Sequence, residues 1–154
     1  MKKIIDILKE KVTEGFVKAG YDARYGFITN SSRPDLCQYQ CNGAMAAAKE
    51  YKKAPAMIAG DVVDVLAGDE IFETIEAVNP GFINIKVSGE LLAVQAEKMD
   101  REEQFGLELP DKPKTIVIDY GGANVAKPLH VGHLRSAIIG ESVKRICRYM
   151  GNNV

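Results

Sequence analysis

Apolar residues at helical spacing predict most of the secondary structure in the first two thirds of the chain. They recur every third or fourth residue over residues 2–19, which predicts an opening helix that stops at Gly20. Further helices are predicted over the alanine-rich residues 43–51, over residues 55–66 with a proline at the start, and over residues 89–104. The stretches between these helices are left to supply strands and turns.

Short β-branched and aromatic segments predict those strands. Residues 25–29 form one segment, and residues 71–78 and 82–87 form a pair joined by Asn79-Pro80-Gly81, a strong turn signal. Residues 35–42 are polar and aromatic, and they suit either a strand or an irregular recognition loop. The order of helices and strands predicts a compact α+β domain of about a hundred residues.

The last part of the chain has the pattern of a strand, a glycine-bearing loop and a long helix. Residues 116–118 are apolar and β-branched, which suits a buried parallel strand. The helix is predicted to start near His130 and His133 and to end at Gly151. In a Rossmann-like unit such a loop lies at the carboxyl end of the strand, where open α/β sheets bind nucleotides.

Composition and cysteine usage narrow the class of protein. With 46% hydrophobic residues, no apolar run long enough for a bilayer and a charged beginning, we expect a globular cytoplasmic protein without a membrane partner. The three cysteines suit reduced thiols better than a disulfide framework. Cys37 and Cys41 can face each other as metal ligands on a helical turn, but without a second pair ordinary thiols are favoured.

Charge is unevenly distributed, although the net charge is only −1. Residues 1–53 carry ten Lys and Arg against six Asp and Glu, and residues 110–154 carry seven against three. Residues 54–109 carry three against twelve. Basic ends around an acidic middle allow particular faces to meet a polyanion, although chance segregation over solvated faces explains the same pattern.

The candidate chemistry lies in residues 130–133, His-Val-Gly-His, which contain both histidines of the chain. Two imidazoles three residues apart at a helix start point to the same side, near the positive end of the helix dipole. Such a site suits a phosphate and stabilises charge that develops on it during transfer. Gly132 leaves room for a flat base or a ribose to approach the backbone.

Polar residues before this motif extend the candidate site. Asn124 offers an amide and Lys127 a cation. Asp119 ends the predicted strand and is the only carboxylate between Asp111 and Glu141, which makes it the natural partner of a cationic substrate group.

Each of these residues also has a plainer interpretation. The histidines can be surface or helix-capping residues, and they lack a further nearby ligand, so we predict no metal site. Lys127 can be a solvated lysine, and Asp119 can cap the turn after its strand.

Residues 123–136, Ala-Asn-Val-Ala-Lys-Pro-Leu-His-Val-Gly-His-Leu-Arg-Ser, resemble the first signature motif of arginyl-tRNA synthetases. This is the HIGH-type motif of class I aminoacyl-tRNA synthetases. The His-x-Gly-His tetrapeptide alone is weak, whereas the residues on both sides of it are specific. Residues 39–46 and 80–85 resemble segments of that family's additional N-terminal domain, so the resemblance covers the whole chain.

The resemblance implies a fold class and a division into domains. We expect an α/β protein whose N-terminal α+β domain has an α-β-β-α-β-β core and is followed by an incomplete Rossmann-like strand-loop-helix unit. Residues 1–109 are the additional domain that contacts the elbow of the tRNA, residues 110–114 are a linker, and residues 115–154 begin the class I catalytic domain.

The resemblance also implies a function and the residues that serve it. The complete enzyme activates L-arginine with ATP and transfers it to the 3′ end of tRNA(Arg), with Mg²⁺ and without a bound prosthetic group. His130 and His133 are implied as catalytic residues that bind the ATP phosphates. Lys127 and Gly132 are implied as further ATP-binding residues.

The implied substrate contacts lie in both parts of the chain. Asp119 and Asn124 are implied to bind arginine. Tyr39 and Asn42 are candidates to stack on and hydrogen-bond an exposed base of the tRNA, although an aromatic residue here can equally belong to the core.

The sequence also departs from the family pattern. Residues 121–123, Gly-Gly-Ala, stand where the family has Ser or Ala followed by Pro, which predicts a looser loop before Asn124. Nothing resembles the second class I signature, and no anticodon-binding domain follows. We therefore expect the amino-terminal part of a longer synthetase, monomeric when complete. By itself this part is expected to be inactive and prone to self-association through its unpaired strand edge.

Two other functions remain open. The chain can be an RNA-binding module in which the histidine motif is inert, and salt-sensitive tRNA binding without ATP binding would favour that. A small nucleotidyltransferase also uses a His-x-Gly-His helix start, but its motif usually follows the first strand near the chain start.

Overall fold

The computed structural model describes residues 1–122 and 126–154, and its contacts divide the chain into two units. The first unit comprises Lys2–Arg101, and the second comprises Glu102–Val154 together with Met1. The elements in chain order are α1 (Ile4–Lys18), β1 (Ile28–Asn30), β2 (Tyr39–Cys41), α2 (Gly43–Tyr51), α3 (Pro55–Leu66), β3 (Phe72–Val78), β4 (Phe82–Val87), α4 (Gly89–Arg101) and α5 (Val131–Tyr149).

The four strands of the first unit form one antiparallel sheet in the order β1-β2-β4-β3. Across its middle, Gln40 of β2 lies opposite Asn84 of β4, which lies opposite Glu76 of β3. Strands β3 and β4 are joined by a tight turn in which the Gly81 N–H donates to the carbonyl of Val78 at 2.9 Å. The predicted α+β arrangement of this unit is confirmed, and residues 35–42 contain a strand.

The core lies between one face of this sheet and the helices that pack on it. Strand β4 alternates strictly, with Ile83, Ile85 and Val87 buried between half-buried neighbours. The helices contribute apolar residues that are completely buried, at the spacing of one helical face: Leu8, Val12 and Phe16 from α1, and Ile58, Ala59 and Val62 from α3. The periodicities of the sequence are therefore those of a sheet covered by helices.

Several predicted elements differ from the structure near their ends. The opening helix, predicted over residues 2–19, runs over Ile4–Lys18, and the strand predicted over residues 71–78 begins at Phe72. The strand expected over residues 25–29 begins only at Ile28, because Tyr25 lies in a 3₁₀ turn (Ala23–Tyr25) capped by the Asp22 carboxylate, which accepts from the Arg24 N–H at 2.8 Å. The helix expected over residues 89–104 ends at Arg101. The predicted bounds of α2, α3 and β4 are confirmed.

Among its described residues, the second unit contains α5 and one parallel β-bridge. Thr115 forms a β-bridge with Asn153, and the Ile116 N–H donates to the Asn153 carbonyl at 2.8 Å. The strand predicted over residues 116–118 is not formed, because the neighbouring segment offers backbone partners only around Thr115 and Ile116. Val117 is accordingly 91% exposed.

Neither a membrane span nor a metal cluster is found in the parts of the chain that the structure describes. None of the helices there is long and apolar enough to cross a membrane. No three His, Cys, Asp or Glu side chains in these parts come together in a way that would hold a metal ion. The three cysteines are free thiols, and Cys37 and Cys41 are buried.

Adjacent residues of α3 provide a test of the core. Ile58 is fully buried and Met57 is 60% exposed. We expect Ile58→Ala to lower the free energy of unfolding by about 2–5 kcal/mol, because it removes buried methylene groups and leaves a cavity. The matched control Met57→Ala should change it by about 0.5 kcal/mol or less, as measured by urea denaturation. Equal effects of the two substitutions would contradict this assignment of the core.

Candidate nucleotide-binding site

The two histidines begin α5 and cap it reciprocally. His130 is the N-cap residue, and its Nδ1 accepts a hydrogen bond from the Gly132 N–H at 3.1 Å. The Nδ1 of His133 accepts from the His130 N–H, also at 3.1 Å. The ring centroids lie 4.1 Å apart. Backbone donors that a helix start leaves unpaired are thus satisfied by imidazoles, as Ser and Glu satisfy them in a capping box.

This arrangement fixes which nitrogen of each ring faces a ligand. A neutral imidazole that accepts a hydrogen bond at Nδ1 carries its proton on Nε2. Both rings therefore present an Nε2–H donor to any group bound over the helix start. The helix-capping and the phosphate-binding interpretations of the histidines are compatible, since they use different nitrogens.

Gly132 has a different role from the one predicted for it. A Cβ at this position would lie 2.9 Å from Cε1 and 3.0 Å from Nδ1 of His130. The space that the missing side chain leaves is therefore filled by the imidazole of His130, whereas we expected a base or ribose there. The glycine allows the ring to fold over the first turn of the helix.

A cavity of about 590 Å³ lies beside the paired rings. Both histidines line it together with Gly121 and Gly122 from the preceding loop and apolar residues of the first helical turns, among them Leu134. A mostly apolar cavity with a few converging polar groups is typical of a small-molecule site. Its size and its donors suit a nucleotide whose phosphates approach the helix start.

The other predicted site residues are less closely defined. Asp119 and Lys127 are exposed, and neither makes a hydrogen bond or ion pair with another residue in the parts that the structure describes. Asn124 lies outside the described residues. The structure thus brings together His130, Gly132 and His133 at one helix start.

A cluster on α5 that we did not predict holds the segment before the loop. Glu141 accepts hydrogen bonds from the hydroxyl of Tyr120, from Lys144 Nζ at 2.9 Å and from Arg145 Nε at 3.0 Å. Gly140 is the buried residue of the helix. The signal in the sequence is a glycine inside a helical pattern, which often marks a close approach of another segment.

The hydrogen bonds of this cluster lower the pKa of Glu141 to about 2. The hydrogen bond from Tyr120 is the largest cause, followed by those from Lys144 and Arg145. The carboxylate is therefore charged whenever the unit is folded at ordinary pH.

The two residues predicted to contact a base lie in the first unit, around the end of β2. Tyr39 is half-buried and packs against the core cluster, as one of the two interpretations allowed. The Asn42 Oδ1 is buried and accepts no hydrogen bond from the described residues. Gln40, on the opposite face of β2, is half-buried as well, and its neighbour across the sheet is Asn84.

The outer face of the sheet, defined here as Thr29, Gln40, Phe82, Asn84 and Lys86 with the exposed Glu76 opposite Asn84, points away from the core. In its middle the Gln40 Nε2 donates to the Asn84 Oδ1 at 2.9 Å. The pair leaves one amide oxygen and one amide nitrogen to face outward. Amides, a cation and an aromatic ring on one open sheet are the groups that read single-stranded RNA.

Comparison with known protein families identifies the chain. The profile described as "Arginyl tRNA synthetase N terminal domain" matches residues 2–87, which is more than half of the sequence. The chain belongs to the arginyl-tRNA synthetase family. A second profile, described as "tRNA synthetases class I (R), catalytic domain", matches residues 95–154. The resemblance noted in the sequence is confirmed at the level of the family.

Relatives in this family are similar over the whole chain. The arginine–tRNA ligase of Agathobacter rectalis is 62% identical over 155 residues, and that of Alkaliphilus oremlandii is 57% identical over 154 residues. Each match covers 100% of this chain and 26% of the relative. The chain thus spans about a quarter of the length of these synthetases.

Solved structures of the family share the fold. The arginyl-tRNA synthetase of Plasmodium falciparum matches with a TM-score of 0.67 and 24% identity, over 99% of this chain and 30% of that one. The enzyme of Thermus thermophilus matches with a TM-score of 0.53 and 24% identity, over 99% of this chain and 24% of that one. The expected fold class is confirmed.

The Glu141 cluster predicts a pH dependence of stability. A carboxylate whose pKa is lowered by folding stabilises the fold above its ordinary pKa of 4.5, and this contribution is lost as the pH falls towards about 2. Wild type should therefore be more stable than Glu141→Gln above pH 4.5, with the difference shrinking below it, in urea denaturation followed by circular dichroism. Glu90→Gln, which changes an exposed carboxylate of α4, is the control. A difference that does not change with pH would contradict the assignment.

Proposed function

We propose that this chain supplies the tRNA-binding domain and the ATP-binding start of the catalytic domain of an arginine–tRNA ligase. The observation that carries the proposal is the pair of imidazoles at the start of α5, each bound to the backbone through Nδ1. We keep the proposed division into residues 1–109, a linker at residues 110–114, and a catalytic part from residue 115. Family membership and the match to the class I catalytic domain support this function.

In the proposed reaction the arginine carboxylate attacks the α-phosphate of ATP. Arginyl-adenylate forms, pyrophosphate leaves, and the arginyl group then passes to the 3′ end of the tRNA. The Nε2–H groups of His130 and His133 donate to phosphate oxygens and stabilise the charge that develops on them. The helix dipole acts in the same direction. The contribution of these residues is positioning and charge stabilisation, and neither ring needs to gain or lose a proton.

The remaining substrate contacts follow the predicted roles. Lys127 is exposed beside the motif and is proposed to meet a phosphate. Asp119 is exposed and is proposed to bind the arginine guanidinium, for which a carboxylate is the matching partner. Asn124 is proposed to hold the backbone groups of arginine. Mg²⁺ is proposed only as a companion of ATP, since the described side chains form no group that would hold it. No step assigned to these residues passes through the metal.

The outer face of the sheet is proposed to meet the tRNA. Its amide pair presents one acceptor and one donor, which suits the edge of an unpaired base, and Phe82 offers a ring on the same face. Tyr39 and Asn42, which are half-buried, remain predicted tRNA contacts. We further propose a cytoplasmic enzyme that is monomeric when complete and a chain that self-associates when alone. A purely RNA-binding function is the second candidate, and ATP binding distinguishes the two.

A chimera tests the catalytic proposal. In it, this chain replaces the matching quarter of the Agathobacter rectalis ligase, whose own activity is the positive control. Purified residues 1–154 should show no aminoacylation, whereas the chimera should charge tRNA(Arg). A folded chimera that charges no tRNA would overturn the proposed function, and charging by the chain alone would overturn the expected inactivity.

Substitutions at His130 separate its two hydrogen bonds. In His130→Asn the side-chain oxygen can still cap α5, but the Nε2–H donor is lost. We expect this variant of the chimera to lose about 10²–10³-fold in the rate of arginine-dependent ATP–pyrophosphate exchange, with little change in thermal stability. His130→Ala should lose the same activity and about 0.5–2 kcal/mol of stability as well. Full activity in His130→Asn would show that the histidine serves only as a cap.

Lys86 tests the proposed RNA-binding face. Fluorescence titration of tRNA with the chain at several salt concentrations should give a log–log slope that falls by about 1 in Lys86→Ala, because one phosphate contact is lost. The affinity should weaken to a similar extent for different RNA sequences. Lys9→Ala, on the exposed side of α1, is the control and should leave the slope unchanged. An unchanged slope in Lys86→Ala would remove this residue from the interface.

A further inference from the structure

The ring of Tyr120 lies directly on the backbone of α5 at Gly140. A Cβ at Gly140 would come within 2.1 Å of the Tyr120 Cγ and 2.4 Å of its Cβ. No residue with a side chain fits there unless the tyrosine moves, and the atoms in the way include the part of the ring nearest its own backbone. The absence of a side chain at Gly140 therefore leaves room for the ring of Tyr120.

The hydroxyl end of the same ring is held by hydrogen bonds with charged side chains. The Tyr120 hydroxyl donates to the Glu141 carboxylate, and Lys144 Nζ donates both to that hydroxyl at 3.2 Å and to the carboxylate at 2.9 Å. Arg145 completes the group through the other carboxylate oxygen at 3.0 Å. The tyrosine is fixed at both ends, by packing against backbone and by a hydrogen-bonded ion cluster.

This contact fixes a segment that has little other support. Beyond the bridge at Thr115, residues 116–122 lie in no strand. Ile116, Ile118 and Tyr120 are half-buried, while Val117 and Asp119 between them are exposed. Tyr120 contacts α5, and Asp119 follows the chain that this contact holds. The next residue, Gly121, has φ +89°, which turns the chain immediately after the anchored tyrosine.

The same helix carries the histidine pair at its start. Gly140 follows His133 by seven residues, which is about 10 Å along a helix axis. Because one rigid helix carries both the imidazoles and Gly140, it sets the distance between the phosphate-binding group and the segment that bears Asp119.

We propose that Tyr120, whose ring packs against Gly140, is a positioning residue that sets the place of Asp119 relative to the histidine pair. The position of Asp119 in turn sets the affinity for the arginine substrate. The inference rests on the proposed function. It adds Tyr120 and Gly140 to the proposed site as residues that act through Asp119. Tyr120 and Gly140 touch no reacting atom in this account.

Steady-state kinetics of the chimera test the inference. Gly140→Ala and Tyr120→Ala should each raise KM for arginine by about tenfold or more, while KM for ATP stays within about twofold, because the histidines keep their local cap. Tyr120→Phe keeps the ring against Gly140 and should restore most of the affinity for arginine. Gly60→Ala is the matched control, since a Cβ at this glycine of α3 would meet nothing within 4 Å.

The double variant Tyr120→Ala/Gly140→Ala separates a specific contact from a general loss of helix packing. Once the ring is gone, the methyl group at position 140 has nothing to displace, so the double variant should be no worse than Tyr120→Ala alone. Additive effects, or equal rises in KM for arginine and for ATP, would overturn the positioning role. If the parent chimera charges no tRNA, the proposed function itself fails, whereas a chimera that charges tRNA with unchanged variants refutes only this inference.

Discussion

The candidate site depends on how the first backbone N–H groups of α5 are satisfied. A helix start in a nucleotide site must leave donors directed at the ligand, yet unpaired donors destabilise the helix. Here imidazoles occupy the capping positions through Nδ1 and present Nε2–H outward. The N–H groups of His130 and Gly132 are satisfied by the imidazoles before a ligand arrives, and the ligand meets preorganised side-chain donors in addition to the dipole.

Different interactions stabilise the two units. The first unit has a core in which residues such as Phe16, Ile58 and Ile85 are completely buried. In the second unit Gly140 alone is buried among the residues that the structure describes, and α5 exposes its apolar stripe, with Leu134 and Ile146 each at 58%. The local contacts described there are hydrogen bonds and the packing of the Tyr120 ring against the backbone at Gly140.

The Tyr120 cluster also shows how a class I-type site can tolerate a glycine-rich loop. Residues 121 and 122 are both glycine, and such a sequence restricts its own conformation little. Tyr120, just before these glycines, is held on α5, and a capped helix begins at Val131.

The sequence by itself determined the helices α2 and α3, strand β4, the α+β order of the first unit and the side-by-side histidines, because periodicity and capping are local properties. It did not determine the 3₁₀ turn at Tyr25 or the failure of residues 116–118 to form a strand, since those depend on which backbone partners are present. It also misassigned the space beside Gly132, which His130 fills. Only the tertiary structure placed Gln40 beside Asn84 and Tyr120 on Gly140, because contacts between residues far apart in sequence leave no period in the chain.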